Sequence, residues 1–185
     1  MKKIFSAFSA FLFIVSLFGG IMLMPVSAAS SWKWDLSDNG TLTISGSGPM
    51  DDQYGPEAKE GVPWESQKDR ILRIEIKDGI TTISGGATFG NCANLEVVVI
   101  PSSVTSIGGY AFAYNTKLKS VIIENGLEAI SSGGFYGCTS LKYIALPDSL
   151  TKVANISFCE CTTLEKIGLP EKLEVLKKDT FYCEY

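Results

Sequence analysis

Histidine is absent from the 185 residues. Without imidazole there is no Ser-His or Cys-His pair, no imidazole base and no imidazole metal ligand, so the commonest routes to hydrolytic catalysis are closed. Positive charge is scarce as well. Sixteen basic residues face 20 acidic ones for a formal net charge of −4, and no basic tract is available to neutralise phosphates, which argues against a nucleic-acid binder. Cysteine is limited to five residues, an odd number that leaves at least one thiol without a partner in the same chain. What the chain does have is 45% hydrophobic content, enough for a core in a single domain.

The longest uncharged run is at the start. Lys2 and Lys3 precede a stretch from Ile4 to Met24 without a charge, followed by Pro25, Val26, Ser27 and Ala28. A positive start, an apolar stretch and small residues at the end describe a secretory signal peptide over residues 1–28, cleaved near Ala28. Gly19, Gly20 and Pro25 interrupt a helix where a peptidase needs extended chain. An uncleaved anchor is the alternative, and it is the one route to a membrane that the sequence offers. Without a cysteine nearby, lipoprotein anchoring is excluded. The expected location is secreted, extracellular or at the cell surface, and cleavage makes the remaining chain more acidic by two charges.

The rest is organised by an internal repeat. Phe89, Phe112, Phe135, Phe158 and Phe181 follow one another at a constant interval of 23 residues, as do Leu95, Leu118, Leu141 and Leu164, and Val98, Val121, Ile144 and Ile167. Ile100, Ile123, Leu146 and Leu169 keep the interval, and so do Val104, Leu127, Leu150 and Leu173, and Ile107, Ile130, Val153 and Leu176. An earlier copy at Ile71, Ile74, Ile76, Ile80 and Ile83 is displaced because one extra residue lies between Ser84 and Thr88. Such a period with an L-x-x-I-x-I core predicts a leucine-rich repeat solenoid of about five coils over residues 67–185. Short parallel strands line its concave face, and loops, turns or 3-10 segments its convex face. Pro101, Pro147 and Pro170 close the strands, because proline cannot donate to the next ladder bond. One coil cannot bury enough surface to fold alone, so stability must come from stacking.

Residues 29–66 read as an N-terminal cap. Trp32, Trp34 and Leu36 alternate with polar residues, Ser37-Asp38-Asn39-Gly40 supplies a turn, and Leu42 and Ile44 alternate back, a β-hairpin pattern. An acidic loop with Asp51, Asp52, Glu57 and Glu60 follows, ending at Pro63 and Trp64. The other end has no such cover, since the sequence stops four residues after Phe181. The expectation there is a truncated array, or a last coil that meets a partner or a second copy of itself.

Several motifs resemble those of the BspA-like bacterial surface leucine-rich repeat proteins: Ala111-Phe112 or Gly134-Phe135 followed by Cys138 and Leu141, and the Ile-Pro-x-Ser-Val-x-x-Ile-Gly run from Ile100 to Gly108. The entry segment, with Trp34-x-Leu36, the run Gly40 to Gly46, and Pro63-Trp64, is similar to the leader that often precedes these repeats. The resemblance implies a secreted or wall-attached protein that adheres to or recognises host matrix proteins or other microbes. Asn115 where cysteine is usual, the small number of coils and the lack of a visible wall-sorting signal depart from the pattern.

Cys92, Cys138 and Cys161 share one repeat position with Asn115, three residues after each phenylalanine, and are expected to be inward structural thiols that meet backbone amides. Cys159 and Cys183 lie off this column and are the candidates for a disulfide between neighbouring coils. Zinc held by Cys159, Cys161 and Cys183 ranks well below that reading, and no metal or other cofactor is expected. The carboxylates Asp51, Asp52, Glu57 and Glu60 could pair for glycoside hydrolysis, but a solvated acidic loop is the better reading, and no catalytic residue is assigned. Asp38 to Gly40 is read as a turn rather than a calcium site.

The remaining surface is the outward row of the strands. It carries Arg73 and Glu75, Val97 and Val99, Ser120 and Ile122, Tyr143 and Ala145, then Lys166 and Gly168. An apolar centre with charge on both flanks fits an interface, and solenoids bind through extended concave faces. Val97, Val99, Ser120, Ile122, Tyr143 and Ala145, flanked by Arg73 and Lys166, are therefore the candidate site for a protein ligand. Plain strand-forming preference explains the same residues nearly as well. Tyr110, Tyr114 and Tyr136 suggest a second aromatic ridge, for which a glycan is the alternative ligand.

Overall fold

The computed structural model describes residues 31–50, 61–177 and 179–183. The expected signal segment and the acidic loop with Asp51, Asp52, Glu57 and Glu60 lie outside them.

Alternating apolar residues build β1 (Ser31–Leu36) and β2 (Thr41–Pro49), which pair antiparallel with Leu36 opposite Leu42. In the turn between them Gly40 takes φ +81°, and the Thr41 N–H donates to both the Ser37 hydroxyl and the Asn39 side-chain oxygen at 3.1 Å. Leu42 and Ile44 are buried on the inner face of this hairpin.

β2 then starts two ladders at once. Its first half, Thr41 to Ile44, pairs in parallel with β3 (Arg73–Ile76), and the ladder continues through β5 (Val97–Ile100) and β7 (Ser120–Ile123). β9 (Tyr143–Ala145) and β11 (Lys166–Gly168) pair with each other as the next two coils, and no strand pairing joins β7 to β9. The far end of β2, Gly48 and Pro49, pairs with β4 (Ile80–Ile83). From there a second ladder runs through β6 (Ser106–Ile107), β8 (Ala129–Ile130), β10 (Lys152–Val153) and β12 (Val175–Leu176). The protein is a parallel-strand solenoid of about 5 turns with little helix. The side opposite the first ladder does carry turns, but they surround this second ladder of two-residue strands. A 3-10 helix lies ahead of the first coil, at Glu65–Arg70.

Both ladders point apolar residues inward. Ile74, Ile76, Val98 and Ile100 from the first ladder and Ile144 from β9 share one core with Ile80, Ile83, Ile107, Ile130 and Val153 from the second, all buried. The third side is made by the phenylalanine turns. Trp64, Phe89, Phe112, Phe135, Phe158 and Phe181 stack face to face, with centroids 5.3 to 5.9 Å apart and planes within 17° of parallel. Trp64 is the first rung, its indole N–H donating to the Thr88 carbonyl at 3.2 Å, and Trp32 and Trp34 meet it edge-on at 6.3 and 6.0 Å. Edge-to-face and offset-stacked contacts suit the aromatic quadrupole, so the same column that repeats by stacking is closed by edges at its start.

Where the chain enters a strand, its N–H donates to the preceding coil, as Glu96 to Leu72 and Lys119 to Glu96, both at 2.9 Å. In the phenylalanine turns the N–H donates to the following coil: Phe89 to Ala111, Phe112 to Gly134 and Phe135 to Ser157, each at 2.9 Å. Left-handed backbone accompanies these turns, and two columns of it recur at the 23-residue interval. One contains Ala87, Tyr110, Gly133 and Ile156, the other Asn91, Tyr114, Gly137 and Glu160. The extra residue of the first coil is absorbed where Gly86 and Ala87 are both left-handed.

Gly133 tests this arrangement. Its φ is +68°, and a Cβ there would lie 2.7 Å from the Tyr110 ring. Gly133→Ala is expected to lose about 1–2 kcal/mol from left-handed strain, with a further loss from displacing the ring. In a double-mutant cycle with Tyr110→Ala, measured by urea denaturation, the ring-dependent part should disappear.

Candidate ligand-binding surfaces

Inter-coil register sets the strand face. Arg73 lies beside Val97 and Val97 beside Ser120, while Glu75 lies beside Val99 and Val99 beside Ile122. In the last two coils Tyr143 lies beside Lys166 and Ala145 beside Gly168. Ile122 is 50% exposed and Tyr143 49%, whereas Val97 and Val99 are only half-buried between their neighbours. The apolar centre is therefore weighted toward Ile122 and Tyr143, away from the valines that the sequence had placed equally in it.

Charge sits on both flanks. Arg73 Nε donates to Glu75 at 2.8 Å and Lys77 Nζ pairs with the other carboxylate oxygen. Hydrogen bonds from Lys77 and then Arg73 hold the Glu75 carboxyl below its ordinary range. At the other flank the Lys166 ammonium lies 5.9 Å from the Tyr143 ring centre, within cation–π range.

The cysteine and asparagine column is structural. Asn115 Nδ2 donates to the Phe89 and Phe112 carbonyls at 2.9 and 2.8 Å, and its Oδ1 accepts the Cys92 N–H at 2.9 Å. Cys138 and Cys161 copy the inter-coil part of this pattern, their thiols lying 3.3 and 3.2 Å from the carbonyls of Phe112 and Phe135. Burial pushes the Cys92 thiol up to about 12. Its hydrogen bond with Cys161, and after that burial, raises the Cys138 thiol well above its ordinary value. Thiols held protonated in this way are poor nucleophiles; the same hydrogen bond lowers the Cys161 thiol, whose protection rests on burial.

Cys159 and Cys183 are joined across adjacent coils with Cα atoms 5.9 Å apart. Cys161 turns inward to its carbonyl and stays away from them, so the three-cysteine zinc set does not assemble. The donors that do gather, within 4.8 Å of one another, are Cys159, Glu160 and Cys183, and the disulfide occupies two of them. Intact mass with thiol labelling should find one bridge and three free thiols, the latter unlabelled at pH 8 until the protein unfolds. Reduction is expected to lower stability by about 2–4 kcal/mol through the released loop.

On the turn side, Tyr110, Tyr114 and Tyr136 come together. Tyr114 meets Tyr136 edge-on at 5.2 Å, and Tyr110 lies 6.1 Å from Tyr136. With Ile156, Asp179, Tyr182 and Cys183 they line an open groove of about 390 Å³. The sequence showed the first three tyrosines but not the last coil's contribution: Asp179 and Tyr182 stand at 23-residue steps after Tyr110 and Tyr136, but residue type changes along those columns.

Coils of about 23 residues that stack through parallel strands, a buried leucine and isoleucine ladder and an asparagine or cysteine column define a leucine-rich repeat protein. The BspA type leucine rich repeat region matches residues 81–184 in 6 copies. That is more than half of the sequence, and the chain belongs to this family. A leucine-rich repeat protein from Eubacterium ventriosum is 32% identical with TM-score 0.58, covering 76% of this chain and 42% of its own. One from Bacteroides ovatus is 25% identical with TM-score 0.55, covering 77% and 40%. The leucine-rich repeat protein of T. pallidum is 25% identical with TM-score 0.54, covering 77% and 59%. The chain thus spans about two fifths to three fifths of these solved proteins. Among curated proteins none matches. Among the described residues no helix is long and apolar enough to cross a membrane.

Proposed function

We propose that the protein is a secreted or cell-surface recognition module that binds a protein ligand, such as a host matrix protein or a component of another microbe's surface, through the outward face of its first strand ladder. The observation that carries this reading is the pair Ile122 and Tyr143, each about half exposed on rigid strands, between the Arg73–Glu75–Lys77 group and Lys166. Large apolar side chains held on strands lose little freedom on binding and suit the centre of an interface, while the charged flanks suit its rim. Membership of the repeat family supports the class, and the signal-peptide pattern of residues 1–28 supports the location. The reading assigns no catalytic residue.

Solid-phase binding of the chain lacking residues 1–28 to a panel of matrix proteins tests it. Ile122→Ser combined with Tyr143→Ser is expected to reduce binding at least tenfold without moving the thermal midpoint by more than a few degrees. Unchanged binding by the double variant would remove the strand face from the proposal. Recovery of protein beginning at Ala29 from the culture medium would support export, and recovery only of full-length chain in membranes would favour the anchor.

A further inference from the structure

The tyrosine groove on the turn side is separate from the strand face and is built at some conformational expense. Tyr110 and Tyr114 stand at φ +57° and +61°, and the next coil keeps Gly133 and Gly137 at the same two positions. Glycine is the residue that fits left-handed backbone without strain. Two bulky residues there, with rings 39% and 49% exposed, are not explained by core packing. Strained residues that hold exposed side chains cluster at binding sites.

We propose that this groove is a binding site for a neutral saccharide. The exposed ring faces offer the flat apolar surface on which the C–H face of a pyranose packs, and Tyr114 and Tyr136, edge-on to each other, present a floor and a wall. Among the lining residues, the tyrosine hydroxyls and the Asp179 carboxylate are the side-chain donors and acceptors. Among the described residues no lysine or arginine lines the groove, so phosphate, sulfate or carboxylate groups on a ligand would find no counter-charge among them. A quaternary ammonium needs rings spaced around it, and here the rings contact one another at 5.2 and 6.1 Å instead of leaving a cage. An added peptide strand needs free backbone donors, but the N–H groups of Tyr110, Tyr114 and Tyr136 already donate to Ser132, Tyr136 and Gly133. The Cys159–Cys183 bridge ties the last coil to its neighbour beside Tyr182 and Asp179, and so fixes one wall of the groove.

Saturation-transfer NMR and calorimetric titration of the chain lacking residues 1–28 test the proposal. The probes are hexasaccharides of glucose, galactose, mannose and N-acetylglucosamine, with choline, a lysine-rich peptide and a sulfated hexasaccharide alongside. At least one neutral hexasaccharide is expected to bind, and Tyr114→Gly to weaken it at least tenfold. That substitution removes the ring while giving the backbone the residue it has in the next coil, so the fold should survive. Tyr182→Ser, at the exposed rim, is expected to weaken binding by a smaller factor, and so is reduction of the disulfide. The Ile122→Ser and Tyr143→Ser variant should bind the sugar unchanged, which keeps this site's outcome distinct from that of the strand face. Failure of all four neutral sugars would overturn the proposal. Full affinity in Tyr114→Gly, or binding of choline, the peptide or the sulfated sugar in their place, would also overturn it.

Discussion

Phe135→Ala is expected to lower the stability of the array by about 3–5 kcal/mol, the usual loss for a fully buried phenylalanine whose cavity cannot collapse. Phe135 is fully buried in the middle of the ring column, between Phe112 at 5.3 Å and Phe158 at 5.6 Å. Its backbone is fixed as well, by the bond to Ser157, so the neighbouring rings cannot slide together to fill the gap. The same change at Phe181, where the ring is 42% exposed and stacked on one side, should cost about 1 kcal/mol on the area removed from water. The measurement is urea unfolding followed by two probes. Trp32, Trp34 and Trp64 all lie at the hairpin end, so their fluorescence reports that end alone, while far-ultraviolet circular dichroism reports every coil. In the intact protein the two transitions should coincide. In Phe135→Ala they should separate, with the tryptophan end unfolding last, because a solenoid is held together by nearest-neighbour terms. Equal losses at Phe135 and Phe181 would show that the ring column does not couple the coils.

A loss of similar size is expected at Asn115. Asn115→Leu fills nearly the same volume but leaves the Phe89 carbonyl and the Cys92 N–H without their side-chain partner, while the Phe112 carbonyl keeps the Cys138 thiol. At about 1–3 kcal/mol for each buried group left unmatched, the loss should be roughly 2–6 kcal/mol. Asn115→Cys gives a sharper comparison. The thiols of Cys138 and Cys161 serve the same inter-coil carbonyl position in their own coils, so cysteine at 115 should recover the bond to Phe89 and lose about half as much as leucine. Chemical denaturation of the three proteins under reducing conditions measures the order. If leucine and cysteine are equally destabilising, the column works by volume and not by hydrogen bonding.

These two columns differ in how far they could be read from the sequence. The interval of the phenylalanines and the shared position of Cys92, Asn115, Cys138 and Cys161 were plain, and so was the inward row of the first ladder, because each position repeats the same physical demand. Trp64 was not recognised as a rung. It stands 25 residues before Phe89, outside the interval, and a tryptophan there reads equally well as a lid over the first coil. The second ladder was hidden for another reason: strands such as Ser106–Ile107 and Ala129–Ile130 are two residues long, too short for alternation to show. The left-handed columns carry the usual glycine signal at Gly133 and Gly137 but tyrosine, isoleucine or glutamate elsewhere, so residue type alone does not reveal them. The sequence named Tyr110, Tyr114 and Tyr136 as a ridge. The groove needs Asp179 and Tyr182 as well, and only the folded chain brings them there.

On the strand face, register decided what sequence could not. Val97 and Val99 were as apolar as Ile122 and alternated in the same sense, yet each has a coil on both sides and is half covered by them. Ile122 lies at the step where strand pairing lapses between β7 and β9, and that is where the surface opens.

β2 gives the two ladders a common first strand. Because Thr41 to Ile44 begin one ladder and Gly48 and Pro49 the other, a single formed hairpin presents templates for both sides of the first coil, already held at the right separation. Each later coil takes its strand position from the one before along the second ladder, and along the first ladder as far as β7. Shortening the array from the far end therefore removes turns one at a time, whereas disrupting the bend between the halves of β2 removes the gauge from which both ladders start.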